Sequence, residues 1–250
     1  MRMKIFLQKL LAVILVTTFI APNITFIPTQ TIFANYGMSG SGTVSDPYLI
    51  SNTNELRLIE EDMTACYKLT ADIDLNNQPW KPIGKMINTT QPEIFSGVLD
   101  GNGHTIKNLL INETVGGAVN SYAGFFYRLN DATVKNISFD SPTLSNTSAS
   151  NPMTGTLAGF ATNATVLNSN FNDINLSGGF DTGGAIGHIE GSLDIQNVNV
   201  IGDIRGGGFF VSGIVGYGKS TENGDSVIFK NSSFAGTLTN TGTGTAGIYG

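Results

Sequence analysis

Five times along this chain an Asn stands between two short apolar stretches, and that recurrence limits the possible folds more than any other feature. The segments are Thr105-Ile-Lys-Asn108-Leu-Leu-Ile111, Thr133-Val-Lys-Asn136-Ile-Ser-Phe139, Thr165-Val-Leu-Asn168-Ser-Asn-Phe171, Asp194-Ile-Gln-Asn197-Val-Asn-Val200 and Ile228-Phe-Lys-Asn231-Ser-Ser-Phe234, with Asn-to-Asn spacings of 28, 32, 29 and 34. A period of about 30 residues with elastic spacing predicts stacked coils whose loops vary while their strands keep register. Ile106, Val134, Val166, Ile195 and Phe229 lie two positions before the Asn, and Ile111, Phe139, Phe171, Val200 and Phe234 lie three after it. In one straight strand those positions face opposite sides. The chain must therefore bend at the Asn, a residue type that tolerates left-handed backbone. Stacking the coils predicts a buried ladder of Asn108, Asn136, Asn168, Asn197 and Asn231 amides, rising about 4.8 Å per coil.

A second signature precedes each Asn: Gly124-Phe-Phe-Tyr127, Thr156-Leu-Ala-Gly159, Gly184-Ala-Ile-Gly187, Gly213-Ile-Val-Gly216 and Gly247-Ile-Tyr-Gly250. Gly weakens a strand, so its return at Gly124, Gly159, Gly187 and Gly216 predicts a sharp corner or close backbone approach. The two signatures together give about three strands per coil. The expected fold is all-β, a right-handed parallel β-helix of triangular section. Residues 93–250 are the coils and residues 35–92 a cap with the first strands. In that cap Asn52 followed by Glu55 resembles a capping box, and the apolar Leu56, Leu58 and Ile59 predict a short helix over Thr53 to Asp62 that covers the open end of the first coil. The last repeat breaks off at Gly250, which predicts further coils beyond it.

Arg2, Lys4 and Lys9 followed by the apolar run Leu10–Ile20 read as a signal peptide over residues 1–34, because eleven apolar residues are too few for a lasting membrane span of about 20. Cleavage is expected after Phe33-Ala34, with a site near Ala21 as the alternative. The mature chain then carries ten positive against nineteen negative side chains, a net charge of −9. That acidity argues against nucleic acid and anionic lipid as partners. Cys66 is the sole cysteine, so no intramolecular disulfide forms.

Gly40-Ser-Gly-Thr-Val-Ser-Asp-Pro-Tyr-Leu-Ile50, Ala71-Asp-Ile-Asp-Leu75, Trp80-Lys-Pro-Ile-Gly84 and Phe95-Ser-Gly-Val-Leu-Asp-Gly-Asn-Gly-His-Thr-Ile106 resemble the opening of bacterial surface proteins with GLUG-motif repeats. The Gly-x-x-Gly strands resemble the motif itself, with Tyr127 and Thr156 departing from it. The resemblance spans about residues 39 to 250. It implies a secreted or wall-attached protein, or the non-catalytic region of an IgA1-protease-type zinc metallopeptidase. It implies no catalytic residues.

Nor do the residues supply a catalytic motif. His104 and His188 are the only histidines, and neither has a partner at the His-Glu-x-x-His spacing of a zinc peptidase. A β-helix polysaccharide lyase would need acids grouped for calcium beside a Lys or Arg base. Asp72, Asp74, Asp100 and Asp140 are the candidate acids. Lys107, Lys135 and Lys230 are expected to form one outward column, interrupted by Leu167 and Gln196. Trp80, Tyr122, Tyr127 and Tyr217 are candidates for stacking on sugar rings if exposed. The expectation is an adhesion or ligand-binding scaffold for glycans or surface proteins, without cofactor or metal. A polysaccharide-active enzyme and an accessory protease region are the alternatives.

Overall fold

The computed structural model describes residues 37–88, 91–113, 122–146, 151–222 and 224–249. The expected signal segment, 1–34, lies outside them. The described chain is a parallel β-helix. One 15-stranded sheet wraps most of each coil, and a separate sheet of five short strands completes it. All pairings in these two sheets are parallel, and one small antiparallel pair, Lys85–Asn88 with Gln91–Glu93, stands apart.

Three columns of apolar side chains fill the interior of the large sheet. The first runs Tyr48, Tyr67, Leu99, Val134, Val166, Ile195, Phe229. The second runs Ile73, Ile106, Phe139, Phe171, Val200, Phe234. The third runs Ile111, Leu144, Leu176, Ile204, Leu238. From Ile73 through Ile204 these side chains are buried in one continuous core.

The section has more sides than the triangle expected from two signatures. In the coil beginning at Ala158, left-handed residues stand at Asn163 (φ 49°), Asn168 (φ 49°) and Asp173 (φ 51°), and each turns the chain inside the continuous strand Ala158–Gly178. Each bend reverses the alternation, so that apolar residues on both sides of it face inward.

The Gly-x-x-Gly strands align as expected, with Phe126, Ala158, Ile186 and Val215 in one row. Their glycines meet the five-stranded sheet of Tyr122–Ala123, Met153–Thr154, Asp181–Gly183, Phe210–Ser212 and Gly244–Ala246. A Cβ at Gly159 would lie 2.6 Å from the Ala123 nitrogen, and one at Gly187 would lie 2.5 Å from that of Thr154. Only glycine lets the two backbones approach so closely. Tyr127 takes the same position one coil earlier. Among the described residues Tyr122–Ala123 is the terminal strand of the small sheet, and the Tyr127 ring packs there against Tyr122 at 4.9 Å between centroids.

At the N-terminal end of the core, Thr53–Arg57 forms an α-helix that passes into a 3₁₀ turn at Leu58–Glu61. The Asn52 side chain accepts from the Glu55 N–H at 3.1 Å. Glu55 reaches back one residue further than a capping box requires, accepting from the Ser51 N–H at 2.6 Å. Leu56 and Ile59 are fully buried and close the core beside the terminal strand Tyr48–Ile50. The backbone of that strand is covered in turn, since the Leu49 N–H donates to the Ser39 carbonyl at 2.8 Å.

Candidate functional site

The corner residues form directional ladders. Asn168 Nδ2 donates to Asn136 Oδ1 at 3.0 Å, Asn197 to Asn168 at 2.8 Å and Asn231 to Asn197 at 3.3 Å. Asn136 in turn donates to Asp100 Oδ1 at 3.0 Å. A carboxylate only accepts, so Asp100 is a fitting end for a chain of donors all pointing one way. Burial pushes the Asp100 carboxyl up, but the Asn136 amide, the Asn102 N–H and Lys135 outweigh it and hold the group below the usual carboxylate range.

Two features of the expected ladder are corrected. Asn108 is not part of this column. Its strand, Thr105–Lys107, pairs with Ser138–Asp140, which sets Asn108 at the next corner of the coil, where it donates to Asp74 at 2.8 Å. Nor is the column buried: Asn168, Asn197 and Asn231 are exposed, because the left-handed corner throws the side chain outward while its apolar neighbours fill the interior. A separate column repeats the design, with Asn163 donating to Asp131 at 3.2 Å.

The same register divides the expected Lys column. Lys135, Leu167, Gln196 and Lys230 share a row, whereas Lys107 stands opposite Asp140 and Asp74 on the neighbouring face. Three of the four candidate acids of the lyase reading, Asp72, Asp74 and Asp100, have their own local partners. Asp72 accepts from the Thr105 N–H at 3.1 Å and pairs with Lys107 at 3.1 Å and with His104 Nδ1 at 3.3 Å. Asp100 pairs with Lys135 at 3.5 Å. Among the described residues no three His, Cys, Asp or Glu side chains are grouped to hold a metal ion.

The aromatic candidates pack against neighbouring rings. Trp80 lies flat on Phe125 at 5.1 Å with the Arg57 guanidinium 4.3 Å over its ring, so both of its faces are occupied. Tyr122 lies between Tyr127 and Phe160. Burial pushes the Tyr127 phenol up to about 12, so it is neutral at physiological pH. Between the small sheet and the outer side of the Gly-x-x-Gly strands runs a row the sequence did not reveal: Arg128 over Phe160, Phe160 on His188, His188 on Tyr217. His188 Nδ1 lies 2.7 Å from Asp181 Oδ2, and that carboxylate is only 1% exposed. The pair ties the two sheets together across the row. Nothing in the spacing of Asp181 and His188 signals it, because only the close approach at Gly187 brings the sheets together.

Among the described residues two concave features carry charge: one of about 270 Å³ is lined by Arg57, Trp80 and Lys81, and the other lies beside residues 44–47. A cleft of about 360 Å³ opens where residues 44–47 rise beside the flat outer face of the large sheet. Its floor is three paired strands, with Cys66, Val98 and Thr133 in one row and Lys68, Asp100 and Lys135 in the next. Val44, Ser45 and Pro47 form the wall.

The fold defines a repeat protein of the parallel β-helix class. No family model matches the chain. Over 165 residues it is 32% identical to halomucin from Haloquadratum walsbyi (strain DSM 16790 / HBSQ001). That match takes in 61% of this chain but 2% of halomucin, so the chain spans a very small part of the relative's length. Among solved structures it is similar to a candidate immunoglobulin A1 protease from Bacteroides ovatus, with a TM-score of 0.49 and 21% identity over 80% of this chain and 69% of the other. Among the described residues no helix is long and apolar enough to cross a membrane.

Proposed function

We propose that this chain is an exported cell-surface module in which the β-helix is a rigid scaffold displaying ligand-binding faces, within a larger protein. The observation that carries this reading is the composition of the outer rows. Ser138, Asn170, Asn199 and Ser233 form one hydrogen-bonded line along the helix axis, and Thr143, Asn175, Asp203 and Thr237 share a second polar row in strand register. Such rows offer donors and acceptors at fixed intervals to a hydroxyl-rich ligand. The carboxylate among them, Asp203, pairs with Arg205 at 3.0 Å, and Asp72 and Asp100 pair with Lys107 and Lys135, so these acids are engaged locally instead of converging on a reacting centre. The leader-like start of the sequence and the likeness to a segment of a far longer protein support export and a modular setting. The partners are glycans or surface proteins, since a net charge of −9 on the mature chain repels nucleic acid and anionic lipid.

The test pairs location with chemistry. The full chain, expressed with its own leader, is followed by cell fractionation, and the exported product is screened on a glycan array and assayed for uronate cleavage. Export with binding to a subset of glycans and no unsaturated uronide product is the expected result. Retention in the cytoplasm, or turnover of a uronide polymer, would overturn the reading.

A further inference from the structure

We infer that the cleft between residues 44–47 and the rows Cys66–Val98–Thr133 and Lys68–Asp100–Lys135 is a binding site for an organic carboxylate carried on a hydroxylated or partly apolar body, as in an acidic sugar. The inference rests on the ligand-binding reading above and gives that reading a place and a ligand chemistry.

Charge is the first argument. In a mature chain with nine excess negative charges, this cleft has two lysines and one carboxylate on its lining. Asp100 is already engaged, accepting from Asn136 at 3.0 Å and from the Asn102 N–H at 2.8 Å and pairing with Lys135 at 3.5 Å. Its charge is thereby directed at the corner ladder and offset by Lys135. Lys68 lies on the other side of Asp100 in the same row, and no carboxylate among the described residues lies within ion-pair distance of it. A lysine ammonium without an acidic partner, beside an apolar wall, favours an incoming anion.

Shape and lining are the second argument. A volume of about 360 Å³ falls at the low end of the range for small-molecule sites, enough for one sugar ring or a body of that size. Val44, Pro47 and Val98 supply apolar contact, while the Ser45 and Thr133 hydroxyls supply bonds to hydroxyl groups. The floor is rigid, because it consists of three parallel strands held in register. A ligand therefore meets side chains that are already in place.

The cleft contains its own reporter. Cys66, the sole cysteine of the chain, is half-buried on the floor, so an occupant would shield it from a thiol reagent. The labelling rate of Cys66 in the exported chain is measured with galacturonate, with galactose as its neutral counterpart and with propionate as a carboxylate without a sugar. Galacturonate is expected to slow labelling in a saturable way and galactose to leave it unchanged. Protection by propionate as well would assign recognition to the carboxylate alone, within the proposed chemistry. Lys68→Gln and Lys135→Gln, both at solvent-accessible positions, are expected to weaken protection roughly tenfold each, the scale of one charge-assisted contact. Unchanged melting temperatures identify these as losses of binding, and Lys68→Arg should restore part of it. No protection by either carboxylate, or equal protection by galactose, overturns the inference. Glycan-array binding that persists in the double Lys variant would overturn this site while leaving the broader ligand-binding reading intact.

Discussion

A left-handed backbone and a side chain that bonds to its neighbours are separate demands at a coil corner, and Asn168 meets both. Two substitutions separate them. Asn168→Gly keeps the φ of 49° and removes the amide; because the ladder is exposed, the loss should be about 0.5–1 kcal/mol. Asn168→Ala adds the strain of a left-handed residue with a Cβ, about 1–2 kcal/mol more. Denaturant midpoints at constant m-value give both figures, and equal midpoints for the two variants would refute the backbone contribution. At the ladder's end, Asp100 is held below the usual carboxylate range. A carboxyl with a depressed folded pKa contributes stability that is present above its unfolded value of about 3.9 and lost as pH falls through the folded one. Asp100→Asn keeps an acceptor for Asn136 and removes the titration. Its stability should therefore fall less steeply than that of the parent below about pH 4, a difference visible in acid-denaturation curves. These corners were legible in the sequence as bends, but not as separate columns. Thr105-Ile-Lys-Asn108 and Thr133-Val-Lys-Asn136 look like copies of one position, yet they occupy successive corners, because every left-handed turn in this fold asks for the same short polar residue with apolar neighbours.

At the scale of the element, the Gly-x-x-Gly strands show how much a motif reveals and where it stops. Its glycines pointed to close backbone approach, and Gly159, Gly187 and Gly216 each lie against a strand of the second sheet. That sheet itself was not legible. Its strands run two or three residues, too short for any alternation to register. Gly187→Ala would press a methyl group against the Thr154 nitrogen and the Gly159 carbonyl oxygen, both backbone atoms. With no flexible side chain to yield, the cost should reach about 3 kcal/mol, the upper end for overpacking, and should appear as a lowered melting temperature. The same substitution separates the sheets that the Asp181–His188 pair joins, so aromatic near-UV dichroism from the Phe160 and Tyr217 row should weaken with it. The capping helix was read from Asn52 and Glu55, and the structure places Leu56 and Ile59 on the core. Leu56→Ala should cost about 2–5 kcal/mol, because it opens a cavity at the sealed end of the stack.

Along the axis of the described residues the two ends of the stack differ, and stability within this stretch should be graded accordingly. In a solenoid each coil is held chiefly by its neighbours, so a coil with one neighbour opens at lower cost than a coil with two. The central strands Ala158–Gly178 and Ile186–Gly206 are paired with each other along nearly their full length, and Val166, Phe171, Ile195 and Val200 are wholly buried between coils. The first coil is closed by Leu56 and Ile59. At the other end, Phe229, Phe234 and Leu238 continue the same three columns but are only half-buried, and Val227, Ile228 and Ile248 are exposed. Among the described residues Val227–Lys230 and Ser233–Asn240 pair only with Ile186–Gly206, which leaves their outer edge suited to a further coil or to another strand. For the 250-residue chain taken by itself, amide hydrogen exchange should therefore fall into three tiers: slowest across 158–206, slower than average at Tyr67 and Leu69 beneath the cap, and fastest across 227–249. Raising the protein concentration should slow exchange in that last tier alone, because edge pairing protects only the exposed face. Uniform protection from Tyr48 to Tyr249, independent of concentration, would show that the coils of this stretch unfold as one unit and that the edge at 227–240 recruits no partner strand.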